Sequence, residues 1–247
     1  MTPQAFAQAL KENAIPLPQA EYLKGIAKPC VDIRLSDTSI PHGSRFGGIP
    51  YVPADFVWPT HEKGEYRFLG QIDFGEIQSP PSSLPTRGLL SLFYAFDEDG
   101  EVFWQHSDYV IAYYWIDREG FSLYNKSDMP KANAEQMSVG IELQAGIDLP
   151  RAEELRGDWS LDEELRDWLI YDLPKEASVA NEYLLGYPSY CTLGYDPTPG
   201  PAWQSLITLS SLKELNWCWH DGDKLMVFIE TEKLARGDFS NLKSDAG

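Results

Sequence analysis

The sequence predicts an α+β fold in which mostly antiparallel β-sheet units are duplicated and helices lie at the periphery. Segments with the alternating apolar and polar residues of half-buried strands fall in two blocks, about 30–125 and 180–240. Helix-like segments precede the first block and return at 148–176. A similar pair of strands recurs in each block. We expect a single domain, 1–247, made of two pseudo-repeat halves with N-terminal helices and a helical acidic insert.

Two short helices are predicted before the first strand. Thr2 is a good N-cap residue, and Pro3 after it favours the first helical turn. This helix should run to about Asn13. A second helix opens at Pro18 and must end near Pro29, because proline cannot continue a helix.

Strands dominate the following part of the chain. Val31, Ile33 and Leu35 alternate with charged residues, which is the period of a strand with one buried face. The Asp-Gly pair in 97–100 readily adopts the positive φ angles of a hairpin turn. The polar stretch 125–140 predicts a long loop. Further strands are predicted at 66–73, 88–96, 101–106 and 108–117.

An acidic helical segment follows at 148–176, with ten acidic and four basic residues. We expect a short helix at 150–156 and a longer one that begins at a capping box of Ser160 and Glu163 and ends before Pro174. Such charge usually marks a solvated helix face, and a binding face is the alternative.

The C-terminal part is predicted to be sheet again. Asp221 and Gly222 form a turn between the last two strands, and a final helix at 231–236 ends against Gly237. Strands are predicted at 204–210, 214–220 and 223–230. In the internal repeat, LGQID (69–73) matches LITLS (206–210), and GLLSLFYAF (88–96) matches KLMVFIE (224–230).

The charge of the chain restricts its partners. Thirty-eight acidic against 20 basic residues give a net charge of -18, which repels nucleic acid and anionic membranes and favours a basic protein partner. The longest apolar run, 109–116, is far shorter than the roughly 20 residues of a membrane-spanning helix. The polar N-terminal segment is unlike a signal peptide, so we expect a cytoplasmic protein. The oligomeric state is left open.

Catalytic and metal-binding patterns are weak. The three cysteines lie far apart, and the four histidines lack ligand spacing, so we expect neither a disulfide framework nor a metal or cofactor. Cys218 and His220 would share one face of a predicted strand and form a thiol and imidazole pair, but a buried small thiol is the favoured explanation. No catalytic residue is assigned, and enzyme activity is left open.

The stretch GSRFGGIPYVPADFVWP, 43–59, is rich in glycine and superficially resembles a phosphate-binding loop. It lacks a helix directly behind the glycines, and its three prolines remove amide donors. We therefore predict an extended, tightly turned segment that packs four aromatic residues against a sheet. These are Phe46, Tyr51, Phe56 and Trp58.

Several stretches occur in the order and spacing of a known bacterial family of undefined function. They are SRFGGIPYVPADFVWP (44–59), RFLGQIDFGEI (67–77), LPTRGLLSLFY (84–94), YLLGYP (183–188), WHDGDKLMVFI (219–229) and LARGDFS (234–240). At these residues the chain resembles the YwqG-like family. The resemblance implies an α+β fold of duplicated antiparallel sheet units with peripheral helices, and it supplies no reaction.

The first repeat carries the candidate ligand-binding residues. Gln71 and Asp73 lie on one strand, whereas the second repeat has Thr208 and Ser210 at the corresponding positions. The proline-rich segment should bring two further side chains, Arg45 and Trp58, beside that strand. Structural pairing of Arg45, Gln71 and Asp73 is the favoured explanation.

Two functions remain open. The first is a non-enzymatic protein-binding module that binds a basic protein, with an immunity-type protein as one form of it. The alternative is a small-molecule binder or enzyme that uses a cleft between the repeats, lined by Arg45, Trp58, Gln71 and Asp73.

Overall fold

The computed structural model describes residues 1–96, 101–134, 136–151, 161–189 and 192–247. The helices are α1 Pro3–Glu12, α2 Leu17–Ile26, α3 Lys131–Ala134, α4 Glu163–Asp167, α5 Leu173–Glu176 and α6 Thr231–Ala235. The strands are β1 Lys28–Ser36, β2 Arg45–Gly47, β3 Tyr51–Pro53, β4 Glu65–Asp73, β5 Leu89–Phe96, β6 Val110–Trp115, β7 Phe121–Leu123, β8 Ser138–Asp148, β9 Glu182–Leu185, β10 Trp203–Ser210, β11 Lys224–Glu230 and β12 Leu242–Ala246.

Ten of these strands form one antiparallel sheet in the order β12-β11-β10-β9-β1-β8-β2-β4-β5-β6. β3 and β7 form a separate two-stranded ribbon. The edge strands β6 and β12 approach each other, and the ring of Tyr114 on β6 packs 5.1 Å from the ring of Phe239, just before β12. The sheet therefore curls until it nearly closes. The expected mostly antiparallel sheet with peripheral helices is confirmed.

Two apolar clusters hold the molecule together. The larger one is filled by side chains of the sheet, and Phe93 on β5 is completely buried within it. Burying a phenylalanine side chain stabilises a fold by about 1.5–3 kcal/mol. The smaller cluster packs α1, α2 and the α4–α5 segment together through residues such as Leu23 and Trp168. The acidic insert is therefore attached to the N-terminal helices.

The N-terminal and C-terminal helices are confirmed. Thr2 caps α1, because its Oγ1 accepts a hydrogen bond from the backbone N–H of Ala5 over 3.1 Å. The second helix ends at Ile26, before Pro29. α6 is followed by Gly237 at a φ of 68°, a conformation that glycine adopts without strain.

β4 and β10 contain β-bulges at corresponding places. Leu69 is the extra residue in β4 and Leu206 the extra residue in β10. In each strand the residue just before the bulge pairs with a phenylalanine of the next strand. Phe68 and Ser205 therefore occupy equivalent backbone positions in the two strands.

The strand predicted at 101–106 is wrong. This segment folds into turns, in which the backbone N–H of His106 donates to the carbonyl of Phe103 over 2.9 Å. The imidazole Nδ1 of His106 also accepts from the N–H of Phe103 over 3.2 Å. Hydrogen bonds between His106 and Phe103 thus take the place of the hydrogen bonds that a strand would form with a neighbouring strand. β6 begins only at Val110.

The strand predicted at 214–220 is also wrong. A 3₁₀ turn, Lys213–Leu215, is followed by a loop in which Asn216 and His220 have positive φ angles of 53° and 48°. Positive φ angles interrupt the extended backbone of a strand. The side chain of Trp217 is buried although the residue belongs to a loop, so the alternation of apolar and polar residues in this segment does not reflect a strand.

β8 is a strand that the sequence analysis missed, and it begins inside the predicted loop. It pairs with β1 on one side and with β2 on the other. Glu142 and Gln144 are exposed while Ile141 is buried, so the strand lacks a strongly apolar face. Five shorter strands were missed as well: β2, β3, β7, β9 and β12.

The long helix of the acidic insert continues beyond the expected end. Its cap is Asp162, whose Oδ1 accepts from the N–H of Leu165 over 2.9 Å. A π-helical turn, Trp168–Asp172, leads into α5, and Pro174 lies in the first turn of α5, where proline is tolerated.

Four predicted features lie outside the described residues. They are Ser160 of the predicted capping box, the helix at 150–156 beyond Arg151, the hairpin turn at 97–100 and Cys191.

Candidate functional site

The glycine-rich loop encloses the guanidinium of Arg45. This side chain is 1% exposed, and β2 places it inside the loop. Its Nε donates to the carbonyl of Pro41 over 3.1 Å, and its Nη1 donates to the carbonyl of Gly47 over 2.6 Å. Its Nη2 donates to the carbonyl of Ile49. All three nitrogens of the guanidinium are therefore bound by backbone oxygens.

Two glycines give the loop its shape. Gly47 and Gly48 have φ angles of 62° and 74°, in the left-handed region. A Cβ atom on Gly47 would lie 2.3 Å from the carbonyl oxygen of Met137, next to β8. The loop thus turns carbonyl oxygens inward around a cation, whereas a phosphate-binding loop would present amide N–H groups to an anion.

Arg45 carries its charge without an acidic neighbour. The described residues place no carboxylate in an ion pair with it, and its guanidinium lies 5.3 Å from the ring centroid of Phe68. Burial lowers the pKa of the Arg45 guanidinium to about 10, which still leaves it protonated at neutral pH. Carbonyl dipoles therefore replace the water that the buried cation would otherwise require.

Gln71 ties both ends of the same loop to β4. It is completely buried and lies directly opposite Arg45 in the β2–β4 pair. Its Oε1 accepts from the N–H of Tyr51 over 3.1 Å, and its Nε2 donates to the carbonyl of Gly43 over 2.8 Å. One side-chain amide thus joins the beginning and the end of the loop.

Asp73 ends β4 and holds two neighbouring segments. Its Oδ1 accepts from the N–H of Gly75 over 2.9 Å, which caps a 3₁₀ turn. Its Oδ2 forms an ion pair with Arg118, and its backbone N–H donates to Ser44 Oγ over 2.8 Å. Asp73 is therefore paired with Arg118 rather than with Arg45.

Trp58 lies apart from the other three candidates. Its indole N–H donates to the carbonyl of Tyr66 over 2.9 Å, and its ring packs 5.4 Å from the ring of Phe93. Tyr66 precedes Gln71 by five residues on β4, roughly 17 Å at about 3.4 Å per residue. The structure thus brings Arg45, Gln71 and Asp73 together at one end of β4 and Trp58 at the other.

The polar groups of these four side chains are used within the fold. Five surface cavities on the described part of the chain are lined by other residues. Their binding of a ligand stays a prediction. The aromatic residues Phe46 and Trp58 are buried as expected of a packed, extended segment.

Cys218 and His220 do not form a thiol and imidazole pair. The strand that would align them is absent from the described segment, and Cys218 Sγ contacts the backbone carbonyl of His220 over 3.7 Å. The imidazole Nδ1 instead lies 3.4 Å from the carboxylate of Asp223. The expectation of a buried thiol is also wrong, because Cys218 is exposed.

No cluster of three or more metal-ligating side chains occurs within the described ranges. Over the same ranges, every helix is too short or too polar to cross a bilayer.

An acidic groove lies on the helical segment that the sequence marks only by its charge. It has a volume of about 510 Å³ and lies between the α1–α2 connection and the α4–π-turn segment. Four carboxylates line it, and the described lining residues include no lysine, arginine or histidine. The carboxylates are Asp162, Glu164, Asp167 and Asp172.

The groove has an apolar floor and largely unpaired acids. Leu165 and Trp168 form the floor and are almost fully buried. Asp162 accepts from the amide of Gln19 over 2.7 Å, in addition to capping α4. The side chains of Glu164, Asp167 and Asp172 are exposed and form neither a hydrogen bond nor an ion pair among the described residues.

No curated protein matches the chain. A family model described as a domain of unknown function, DUF1963, matches residues 44–244, from the loop around Arg45 into β12. Because this match spans most of the 247 residues, the chain belongs to the DUF1963 family of domains of unknown function.

Proposed function

We propose that this DUF1963 protein is a non-enzymatic binding module whose acidic groove receives a basic segment of a partner protein. The observation that carries the proposal is the groove itself, where four carboxylates surround an apolar floor. Three of these acids have no described partner within the fold and are available to a ligand.

The chemistry of the groove suits lysine or arginine side chains. Such side chains bury an apolar stem and keep the charged head at the rim, so the stem would pack on Trp168 and the head would meet Glu164 or Asp167. The net charge of -18 would speed the encounter with a cationic protein and disfavour anionic competitors.

An immunity-type protein that neutralises a basic toxin in the cytoplasm is the concrete form of this proposal. Within the DUF1963 family, we propose that the chain is a YwqG-like member. The ordered stretches from 44 to 240 support this finer assignment.

The alternative, a small-molecule binder or enzyme with a cleft at Arg45, Trp58, Gln71 and Asp73, has less support. The polar groups of these side chains already bond to backbone or to Arg118. A ligand there would have to displace contacts that hold the loop.

We also infer that the sheet consists of two copies of one unit, and that the first strand of each copy lies beside the strands of the other copy. β1 lies between β8 and β9, and β8 lies between β1 and β2. In both halves a bulged strand then pairs with the next strand in the chain, and an edge strand follows. This arrangement supports an origin by duplication.

The binding proposal is tested with a fluorescent peptide of alternating arginine and glycine, used as a cationic probe in anisotropy titrations. We compare the wild type with a groove variant, Glu164→Gln/Asp167→Asn/Asp172→Asn. The matched control, Asp117→Asn/Glu119→Gln/Glu232→Gln, removes three exposed acids elsewhere.

The groove variant should bind the peptide at least about tenfold more weakly, since three charge pairs of roughly 0.5–1 kcal/mol each are lost. The control should change affinity less than threefold. Binding should also weaken between 25 and 300 mM salt as charges are screened. Equal losses in both variants would show that the peptide senses only the net charge and would overturn the groove as the site.

A further inference from the structure

The sheet opens between β9 and β10. Only two residue pairs join these strands. β9 then turns away at Leu185 and Gly186, whose φ angles are 61° and 68°. A positive φ is rare for leucine, and such strain in a backbone often occurs where a ligand binds. β10 extends back to Trp203 without β9 beside it, and a cavity of about 260 Å³ fills the opening.

Two residues that line this cavity have buried polar atoms without a hydrogen-bond partner among the described residues. Ser205 is 3% exposed, and its hydroxyl has no hydrogen bond among the described residues. The buried Nε2 of Gln204 also has none. Unpaired buried polar groups are uncommon and destabilising unless a ligand or water satisfies them.

The backbone of β10 also presents polar groups to the cavity. The carbonyl of Ala202 accepts from the N–H of Thr231 over 2.8 Å, so Ala202 faces β11. Because successive residues of a strand face opposite neighbours, Trp203 and Ser205 direct their backbone groups away from β11, into the opening. The N–H of Trp203 is used by the carbonyl of Gly200. The carbonyl of Trp203 and the N–H of Ser205 therefore face the cavity.

The equivalent opening between β2 and β4 is filled by a side-chain amide. Asn133 of α3 is 1% exposed. Its Oδ1 accepts from the N–H of Phe68 over 2.7 Å, and its Nδ2 donates to the carbonyl of Tyr66 over 3.2 Å. Phe68 precedes the bulge of β4 just as Ser205 precedes the bulge of β10. Tyr66 is correspondingly equivalent to Trp203.

We propose that the cavity between β9 and β10 binds a small molecule through a primary carboxamide. The carboxamide would accept from the N–H of Ser205 and donate to the carbonyl of Trp203, as Asn133 does at the equivalent positions. A carboxylate has no donor for that carbonyl, and a trans peptide group directs its N–H and C=O to opposite sides. A primary carboxamide supplies both groups on one edge.

The other residues that line the cavity indicate the chemistry and the size of the rest of the ligand. Gln204 has an unpaired amide donor and Ser205 an unpaired hydroxyl, on opposite faces of β10 because successive side chains of a strand alternate, and Lys28 adds a positive charge to the lining. A donor amide and a positive charge suit a carboxylate at the other end of the ligand. At roughly 30 Å³ per water molecule, the volume equals eight or nine waters, about the size of free asparagine or glutamine.

The experiment is a two-dimensional ¹H–¹⁵N NMR titration of the full chain with matched amides and acids. The pairs are L-glutamine with L-glutamate, L-asparagine with L-aspartate, and nicotinamide with nicotinate. At least one amide should shift the backbone signals of Gln204 and Ser205, slow the hydrogen exchange of the Ser205 amide, and bind at least tenfold more tightly than its acid.

Two variants and a glutamine-containing peptide provide the controls for this titration. Gln204→Leu, which removes the unpaired donor, should weaken amide binding at least fivefold, whereas Gln4→Leu on the exposed face of α1 should leave it unchanged. Comparing free glutamine with the peptide Gly-Gln-Gly separates a metabolite from a side chain of a partner.

Three results would overturn the proposal: equal affinity for amide and acid, signal changes confined to other parts of the sheet, or no saturable binding up to 100 mM of every amide.

Discussion

Arg45 shows how a motif that resembles an anion site encloses a cation. A guanidinium has five N–H donors in a rigid plane, so it can reach carbonyls on several sides at once. The carbonyls of Pro41, Gly47 and Ile49 occupy these directions. Lysine would place a compact ammonium there and leave at least one carbonyl unsatisfied. Arginine therefore determines the shape of the loop.

We predict that Arg45→Lys lowers the free energy of unfolding by roughly 2–4 kcal/mol, because buried carbonyls lose their donors. Urea denaturation followed by tryptophan fluorescence measures the change. The exposed Arg87, changed to lysine, is the control and should stay within about 0.5 kcal/mol of the wild type. Equal stability of the two variants would show that the loop holds its shape without the guanidinium.

At the scale of secondary structure, Asn133 takes the place of a missing strand. β2 pairs with β4 at only two positions, so the next part of β4 has no neighbouring strand on that side. The amide of Asn133 supplies one acceptor and one donor to that part of β4. A single side chain thus completes the edge that β2 leaves open.

Asn133→Ala and Asn133→Asp should each destabilise the protein by roughly 2–3 kcal/mol at pH 7. The alanine removes both bonds, and an ionised aspartate cannot donate to the carbonyl of Tyr66. Thermal denaturation measures the loss, with the exposed Asn181→Ala as control. A destabilised alanine variant beside a wild-type-like aspartate variant would contradict the role of the amide N–H.

The elements also show what the sequence allows one to predict. β5 and β11 were predicted because each is a run of apolar residues, as in LLSLFYAF, that is buried on both faces. β8 was missed because its exposed Glu142 and Gln144 leave only a weak alternation, although it is central in the sheet. Backbone pairing with β1 and β2 stabilises it, and such pairing leaves no pattern in the sequence.

The candidate site was predictable in part. The proline-rich segment was expected to bring Arg45 beside the strand of Gln71, and the two residues are paired directly between β2 and β4. Asn133 carries no such signal, because it lies in a polar stretch and reaches β4 only through the folded chain. The split between β9 and β10 coincides with the positive φ angles of Leu185 and Gly186, and a positive φ at leucine is not predictable from its local sequence.

At the scale of the whole molecule, the excess of acids opposes folding through self-repulsion. The net charge is -18, and much of it lies on exposed side chains such as those of the acidic groove. Salt screens this repulsion within a Debye length of about 10 Å at 0.1 M. Folding and partner binding should therefore respond to salt in opposite directions.

We predict that raising sodium chloride from 20 to 300 mM at pH 7 increases the melting temperature, by about 2–4 °C for each kcal/mol of repulsion relieved. Differential scanning calorimetry measures this shift. The variant Asp117→Asn/Glu119→Gln/Glu232→Gln, with three fewer charges, should melt higher than the wild type at low salt and respond less to added salt. A melting temperature that falls with salt would mean that attractive surface pairs dominate.

The position of β1 has a consequence for synthesis on the ribosome. Both strands that flank β1 come from the second half of the chain, and β8 begins at Ser138, 102 residues after β1 ends at Ser36. At roughly 5–20 residues per second, the nascent β1 waits about 5–20 s for its first neighbour. During that interval its unpaired edges are open to association with other chains, so chaperone capacity should limit the yield of this protein more than its final stability does.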